Sequence, residues 1–141
     1  MSDLIDTFNV AASGLAAERL RLQTIATNMA NARTTRTAAG GPFQRQVPTF
    51  EAQQVDPFGD ELDRATSRVV VTGIGSDGRP PVRVYDPAHP DADATGYVSY
   101  PDIDVMQEMV DLMTTNRAYE ANSSVVEATR DMSLRALEIG R

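Results

Sequence analysis

Phe8, Leu15, Leu22 and Met29 recur at intervals of seven near the start of the chain, and Val105, Leu112, Tyr119 and Val126 do the same near its end. Ala12, Ala16, Ile25 and Ala26 lie on tracks adjoining the first series, and Met106, Met109, Val110, Met113 and Met132 on tracks adjoining the second. A seven-residue apolar repeat keeps one stripe on one side of a helix. The pattern therefore predicts an amphipathic helix from Leu4 to about Ala32 and a second from Pro101 to Gly140. The second span has no proline or glycine between its ends, and about forty residues at 1.5 Å each reach about 55 Å. A chain of 141 residues builds no core of that length, so the helix needs another helix beside it. The face opposite its stripe carries Asp111, Arg117, Glu120, Glu127, Arg130, Asp131, Arg135 and Glu138, a pattern expected to face solvent. Arg117 and Glu120 are candidates for ion pairs between subunits.

The first helix is rich in alanine and contains Gly14, which costs about 1 kcal/mol of helix stability relative to alanine but lets a partner approach closely. Helices of this kind depend on tertiary contacts, so both ends of the chain are expected to be frayed in a monomer and ordered in an assembly. Asn28 and Asn31 stand three apart where the first helix closes. Asparagine bonds nearby backbone and favours helix ends, so the pair is expected to stop the helix and to form an interhelical contact.

Periodicity of two replaces the helical pattern in the middle third. Phe43 to Phe50 alternates as a strand, with Pro48 restricting it to an edge or a short piece. Gln53 to Ser67 is polar and acidic and reads as a surface loop. Arg68 to Ile74, the turn Ser76-Asp77-Gly78 and Val82 to Tyr85 read as a β-hairpin or two short paired strands. From Tyr85 to Val98 the sequence is Tyr-Asp-Pro-Ala-His-Pro-Asp-Ala-Asp-Ala-Thr-Gly-Tyr-Val. His89 with Asp86, Asp91 and Asp93 has the ligand types of a metal or acid–base cluster. The alternative is a rigid extended loop whose aspartates bond the backbone, and a lone histidine between prolines favours that reading.

Composition narrows the chemistry. The chain has no cysteine, which excludes disulfides, thiolate metal sites and a cysteine nucleophile. Its formal net charge is −7 and all 13 of its basic residues are arginine, so it lacks the clustered cationic surface that nucleic acid requires. With 6% aromatic residues and no tryptophan, a large core is not expected. Met1-Ser2-Asp3 has no basic region followed by an apolar run, and no early segment is long enough to span a bilayer. Neither a cleaved signal nor a membrane span is expected, and no cofactor or metal. A metal-dependent hydrolase would need a second ligand cluster near His89, and the sequence offers none. An assembly subunit is favoured over an enzyme. A soluble helical adaptor or partner-binding protein is the other reading, and a free-standing coiled-coil dimer is disfavoured by the alanine-rich first seam.

Ser13-Gly14-Leu15, Ile25-Ala26-Thr27-Asn28 and Met29-Ala30-Asn31-Ala32 resemble the N-terminal signature of the flagellar rod and hook-type axial proteins. Asp86, Pro87, His89, Pro90, Asp91, Asp93, Gly96 and Tyr97, followed by Pro101 to Val105, Glu108 to Val110 and the stretch from Asn116 to Asn122 with Arg117 and Tyr119, are similar to a basal-body rod member of that family. The family usually has asparagine where Asp102 and Asp104 stand. The resemblance implies a structural subunit of the proximal rod, the drive shaft that transmits torque and encloses the export channel. It implies a mainly α fold with a small β module: residues 1–32 and 101–141 form one helical axial core, with the two helices packed antiparallel as a coiled-coil pair, and 33–100 form a hairpin-containing central module that faces outward. It also implies export through the flagellar type III apparatus without signal cleavage, a location in the periplasmic part of the basal body, and contacts with copies of itself, other rod proteins and the adaptor joining the rod to the membrane ring. The residues expected to pack between subunits are Phe8, Leu15, Leu22, Ile25, Met29, Val105, Met109, Leu112, Tyr119 and Val126.

Overall fold

The computed structural model describes residues 2–54 and 67–139. Two long helices, α1 (Ser2–Ala30) and α2 (Val105–Ile139), enclose in sequence four strands: β1 (Gln46–Gln54), β2 (Ser67–Ser76), β3 (Val82–Tyr85) and β4 (Tyr97–Tyr100). The architecture is mainly helical with a small β module. The expected loop from Gln53 to Ser67 falls largely outside the described residues, as does the expected stop at Gly140.

Both helix boundaries follow from local chemistry. Asn31 N–H donates to the carbonyls of Thr27 and Asn28, at 3.1 and 3.2 Å, and closes α1. Asp104 caps α2: its Oδ1 accepts from the amides of Met106 at 2.9 Å and Gln107 at 3.3 Å. Asparagine in this place offers the same acceptor. The helix thus begins four residues later than the proline suggests, because Asp104 supplies the cap and Pro101 to Ile103 continue an extended approach from β4.

The helices run antiparallel. Gly14 lies against Asn122, and Asn28 bonds Glu108, so fourteen steps up α1 match fourteen steps down α2. At 1.5 Å per residue the helices are about 43 and 52 Å long. A Cβ at Gly14 would stand 3.2 Å from Asn122 Nδ2, so the glycine admits the other helix closely.

The seam between them is not the apolar heptad read from the sequence. On α2 the buried positions are Glu108, Thr115 and Thr129, with Asn122 half-buried between them, and on α1 they are Ala17, Thr24, Ile25 and Asn28. All three of these threonines satisfy their hydroxyls on their own helix. Thr24 donates to the Leu20 carbonyl at 2.9 Å, Thr115 to that of Asp111 at 2.7 Å and Thr129 to that of Val125 at 2.8 Å. With the hydroxyl turned back, each presents little more than a methyl group, and small side chains let the backbones come together. Leu112, Tyr119 and Val126 flank this seam half-buried, while Val105 and Met109 are 36% and 39% exposed. Asp111, expected in solvent, is half-buried and lies 4.0 Å from Arg45.

Strand pairing also differs from expectation. β1 pairs antiparallel with β2 from Gln46↔Ser76 to Gln54↔Ser67, with a register shift between Thr49 and Phe50. β3 pairs with β4 and not with β2. Gly78 turns the chain at φ 69°, but Pro80 and Pro81 have no amide hydrogens with which to start a ladder back along β2. Because each sheet has two strands, every strand is an edge, and β1 extends through Pro48 for nine residues, longer than the proline suggested. Val98 of β4 is fully buried and, with Ala17 and Ile25, makes up the buried apolar core among the described residues. So slight a core leaves much apolar surface outside.

Candidate functional site

Two structural junctions set the shape of the subunit, and both are built from charge and hydrogen bonds. The first ties the end of α1 to the β module and to the start of α2. The Asn28 amide makes a reciprocal pair with the backbone of Gln46, accepting from its N–H at 2.8 Å and donating to its carbonyl at 2.9 Å. It also donates to Glu108 Oε2 at 3.4 Å. Glu108 is 1% exposed, and Arg45 Nε donates to its other oxygen at 2.6 Å. From Arg45 the charges alternate outward: Arg45 to Asp77 at 3.7 Å, Asp77 to Arg79 at 2.7 Å, and Arg79 to Asp102 at 3.2 Å. Partial burial pushes the Asp77 carboxyl up, but hydrogen bonds from Arg79 and the charges of Arg79 and Arg45 together hold it below the ordinary carboxylate value. The bond to Asp77 in turn raises Arg79. A buried carboxylate is tolerable only when paired and hydrogen-bonded, and Glu108 is both.

The second junction is the loop between β3 and β4. Asp93 Oδ1 accepts from the Thr95 amide at 2.8 Å, the Thr95 hydroxyl at 2.6 Å and the Tyr97 amide at 3.0 Å. These bonds, the Thr95 hydroxyl first, bring its pKa down to about 2. Asp86 Oδ1 accepts from the Ala88 amide, and His89 Nδ1 from the Asp91 amide. Asp91 bonds the Thr35 hydroxyl at 2.7 Å and lies 3.6 Å from Arg36, so this loop is fastened to the segment that follows α1. Arg83 pairs with Asp93 and lies 4.9 Å above the Tyr97 ring, and Tyr85 meets Tyr97 edge to face at 5.3 Å. Gly96 has φ +81°, and a Cβ there would stand 2.8 Å from the Tyr85 ring. The His89 imidazole is occupied in supporting the loop, its ring 6.1 Å from that of Tyr100. Among the described residues no group of three or more His, Asp or Glu is placed to hold a metal ion.

Apolar side chains stay uncovered on the strands, Tyr85 and Ile74 among them, and in a longer row on the helices. On α2, Met106 is 69% exposed, Val110 55% and Met113 62%. They succeed one another at i, i+4 and i+7, about 160° around the helix from Glu108 at 100° per residue, so this stripe faces away from α1. Val125, Met132 and Leu134 are also exposed toward the C-terminal end, but off this stripe. On α1, Phe8, Leu15, Leu22 and Met29 are half-buried, and Ile25 is the one residue of the packing set that is buried. Surface of this kind, on a helix face that no described residue covers, marks an interaction face.

The structure thus divides the sequence candidates into two groups. Asn28, Asp86, His89, Asp91, Asp93 and Gly96 build the junctions, with Asn31 bonding Thr27 and Thr34 and closing α1. Pro87 and Pro90 are exposed on the loop, Tyr97 at the start of β4, and Arg117 on α2. The heptad residues of both helices lie beside the seam or outside it. Arg45 and Arg79 escaped the sequence reading, and Asp77 and Glu108 entered it only as a turn residue and as part of the resemblance. One signal for them was present: Glu108, Thr115, Asn122 and Thr129 form a seven-residue series of their own, but a polar one.

Comparison with known proteins agrees in one direction. The family described as flagella basal body rod protein matches residues 8–36, and that described as flagellar basal body rod FlgEFG protein C-terminal matches residues 94–139. The chain is 41% identical to the flagellar basal-body rod protein FlgC of Borreliella burgdorferi, over 96% of this chain and 97% of the relative. It is 37% identical to FlgC of Bacillus subtilis, over 96% and 97% of the two chains, and 37% identical to FlgC of Salmonella typhimurium, over 98% of each.

Proposed function

Since the chain belongs to the FlgC family of flagellar basal-body rod proteins and is a structural subunit of the basal-body rod, we propose that it builds the proximal rod by packing its helices against those of its neighbours. The observation that carries this reading is the mismatch between seam and stripe. Inside one subunit the helices meet through Thr24, Thr115, Thr129 and Asn28, while Met106, Val110 and Met113 stay exposed. Apolar surface removed from water contributes about 25 cal/mol per Å², and a subunit that keeps its largest apolar side chains outside gains that stabilisation on assembly. Residues 1–32 and 101–141 then form one axial core, with 33–100 as a module on the outer side, and the core lines the export channel and transmits torque by side-chain packing. The chemistry is mechanical and needs no cofactor.

The partners on this reading are copies of the same chain, other rod proteins, the adaptor to the membrane ring and, before assembly, the flagellar export apparatus. Export without a cleaved signal follows from the family likeness, and no helix among the described residues is long and apolar enough to cross a membrane. Leu112→Asp tests the packing claim. The half-buried Leu112 flanks the seam, and a carboxylate there is expected to abolish rods and swimming while the variant is still made; normal rods with Leu112→Asp would refute it. Circular dichroism of the purified chain over a concentration series, with limited proteolysis, distinguishes the adaptor reading. A rod subunit gains helix as concentration rises, whereas a self-sufficient adaptor shows full, protected helicity at every concentration.

A further inference from the structure

Resting on the rod-subunit reading, we propose that the groove between α1, α2 and the β1–β2 sheet seats α2 of a second copy of this chain, with Arg117 of that copy closing on Glu18. The groove has a volume of about 620 Å³; Gly14, Ala17 and Glu18 form its floor, with Phe50 and Val69 on one side and Val125 on the other. Its lining is mostly small or apolar but also carries Thr7, Arg21 and Asn122, none of which bonds Glu18 Oε2. Glu18 Oε2 is buried and has no hydrogen-bond partner. A carboxylate oxygen withdrawn from water without a donor is costly, so in a single copy the groove is incomplete, and what completes it is a cationic donor arriving from outside.

The same chain carries the complement. Arg117 follows Met106, Val110 and Met113 at i+11 on the outward face of α2, is exposed, and has no bonding partner among the described residues. Copies related by rotation about and translation along one axis keep their helix directions, so α2 of one copy meets α1 of the next antiparallel, as it does inside a subunit. With Arg117 of the second copy level with Glu18, its Met113 comes level with Leu22, its Met106 with Met29 and its Ala121 with Gly14. The methionines then meet half-buried apolar side chains. The groove and the stripe are different surfaces, so the contact is heterologous, and where its rotation does not close a ring it repeats as an open helix, which is the geometry of a rod. A guanidinium is suited to this site because it remains charged and offers several donors on one plane.

The chain contains no cysteine, which makes a direct test clean. Glu18→Cys and Arg117→Cys variants are expressed together in flagellated cells, and isolated basal bodies are mildly oxidised. The expected product is a disulfide-linked dimer of the two variants, absent when either is expressed alone. Basal bodies that contain both variants and give no mixed dimer overturn this contact while leaving the rod reading intact, and a cross-link to a different protein also overturns it. Absence of the unaltered chain from basal bodies overturns both. A charge exchange gives a second readout. Glu18→Arg or Arg117→Glu alone is expected to lower the number of rods per cell by about tenfold or more, and the double exchange to recover most of that loss. A double exchange no better than the singles refutes the pairing.

Discussion

Replacing Asn28 with aspartate is expected to harm this protein more than replacing it with alanine. Asn28 is 1% exposed and uses both ends of its amide on Gln46, accepting at 2.8 Å and donating at 2.9 Å, with a longer bond of 3.4 Å to Glu108. Asn28→Ala removes two good neutral hydrogen bonds, each contributing about 1 kcal/mol, and strands the Gln46 amide and carbonyl, for a total of about 2–4 kcal/mol. Asn28→Asp keeps the bond from Gln46 N–H but turns the donor into a second charged acceptor. That oxygen would then face the Gln46 carbonyl and the buried Glu108 carboxylate, adding about 2 kcal/mol or more. The total approaches the whole stability of a small domain. Urea unfolding followed by circular dichroism, with both variants and the original chain at pH 7 and near pH 4, measures this. Burial and Glu108 raise the folded pKa of the introduced aspartate, so the folded state binds more protons than the unfolded one. The extra deficit is therefore full above the raised folded pKa and disappears below the unfolded value of about 4. If Asn28→Asp at pH 7 matches the original chain or exceeds Asn28→Ala, the donor assignment at Asn28 is wrong.

Gly96→Ala should lower the melting temperature by several degrees, because the residue sits at φ +81° and its Cβ would meet the Tyr85 ring at 2.8 Å; strain of about 1–3 kcal/mol corresponds to roughly 3 °C per kcal/mol for a chain of this size, and an unchanged melting curve would contradict it. The folded carboxylates of Asp77 and Asp93 lie below their ordinary values, Asp93 at about 2. Their contribution to stability is therefore present above the unfolded pKa of about 3.9 and is lost as pH falls toward 2. Asp93→Asn should flatten the acid limb of the stability profile, which thermal scans between pH 2 and 5 will reveal. Asp104→Ala should cost about 1 kcal/mol through loss of the α2 cap, whereas Asp104→Asn should stay within a few tenths of the original; equal losses in the two variants would show that the side-chain oxygen is not the cap.

Both helices could be read from seven-residue spacing, and the end of the first from Asn31, whereas the start of the second was placed at Pro101, four residues before Val105. The loop from Asp86 to Tyr97 was also legible, because short aspartate-to-backbone bonds are local and depend on spacing alone. The strand partners were not. Val82 to Tyr85 has the same alternation whether it pairs with β2 or with β4, and the choice turned on two prolines that cannot donate to a ladder. The seam was misread for a related reason: apolar content says which residues prefer to leave water, but not which neighbour removes them. In this chain the intrasubunit contact goes to threonines that bond their own helix and to Asn28, Glu108 and Arg45, and the apolar stripe of α2 is left outside.

By itself, then, the sequence determined that two long amphipathic helices flank a small β module, because helix periodicity and capping act over a few residues. Only the tertiary structure decided which helix faces meet. That choice depends on residues eighty positions apart in sequence, Asn28 and Glu108, whose polar groups can be buried only where each supplies what the other lacks.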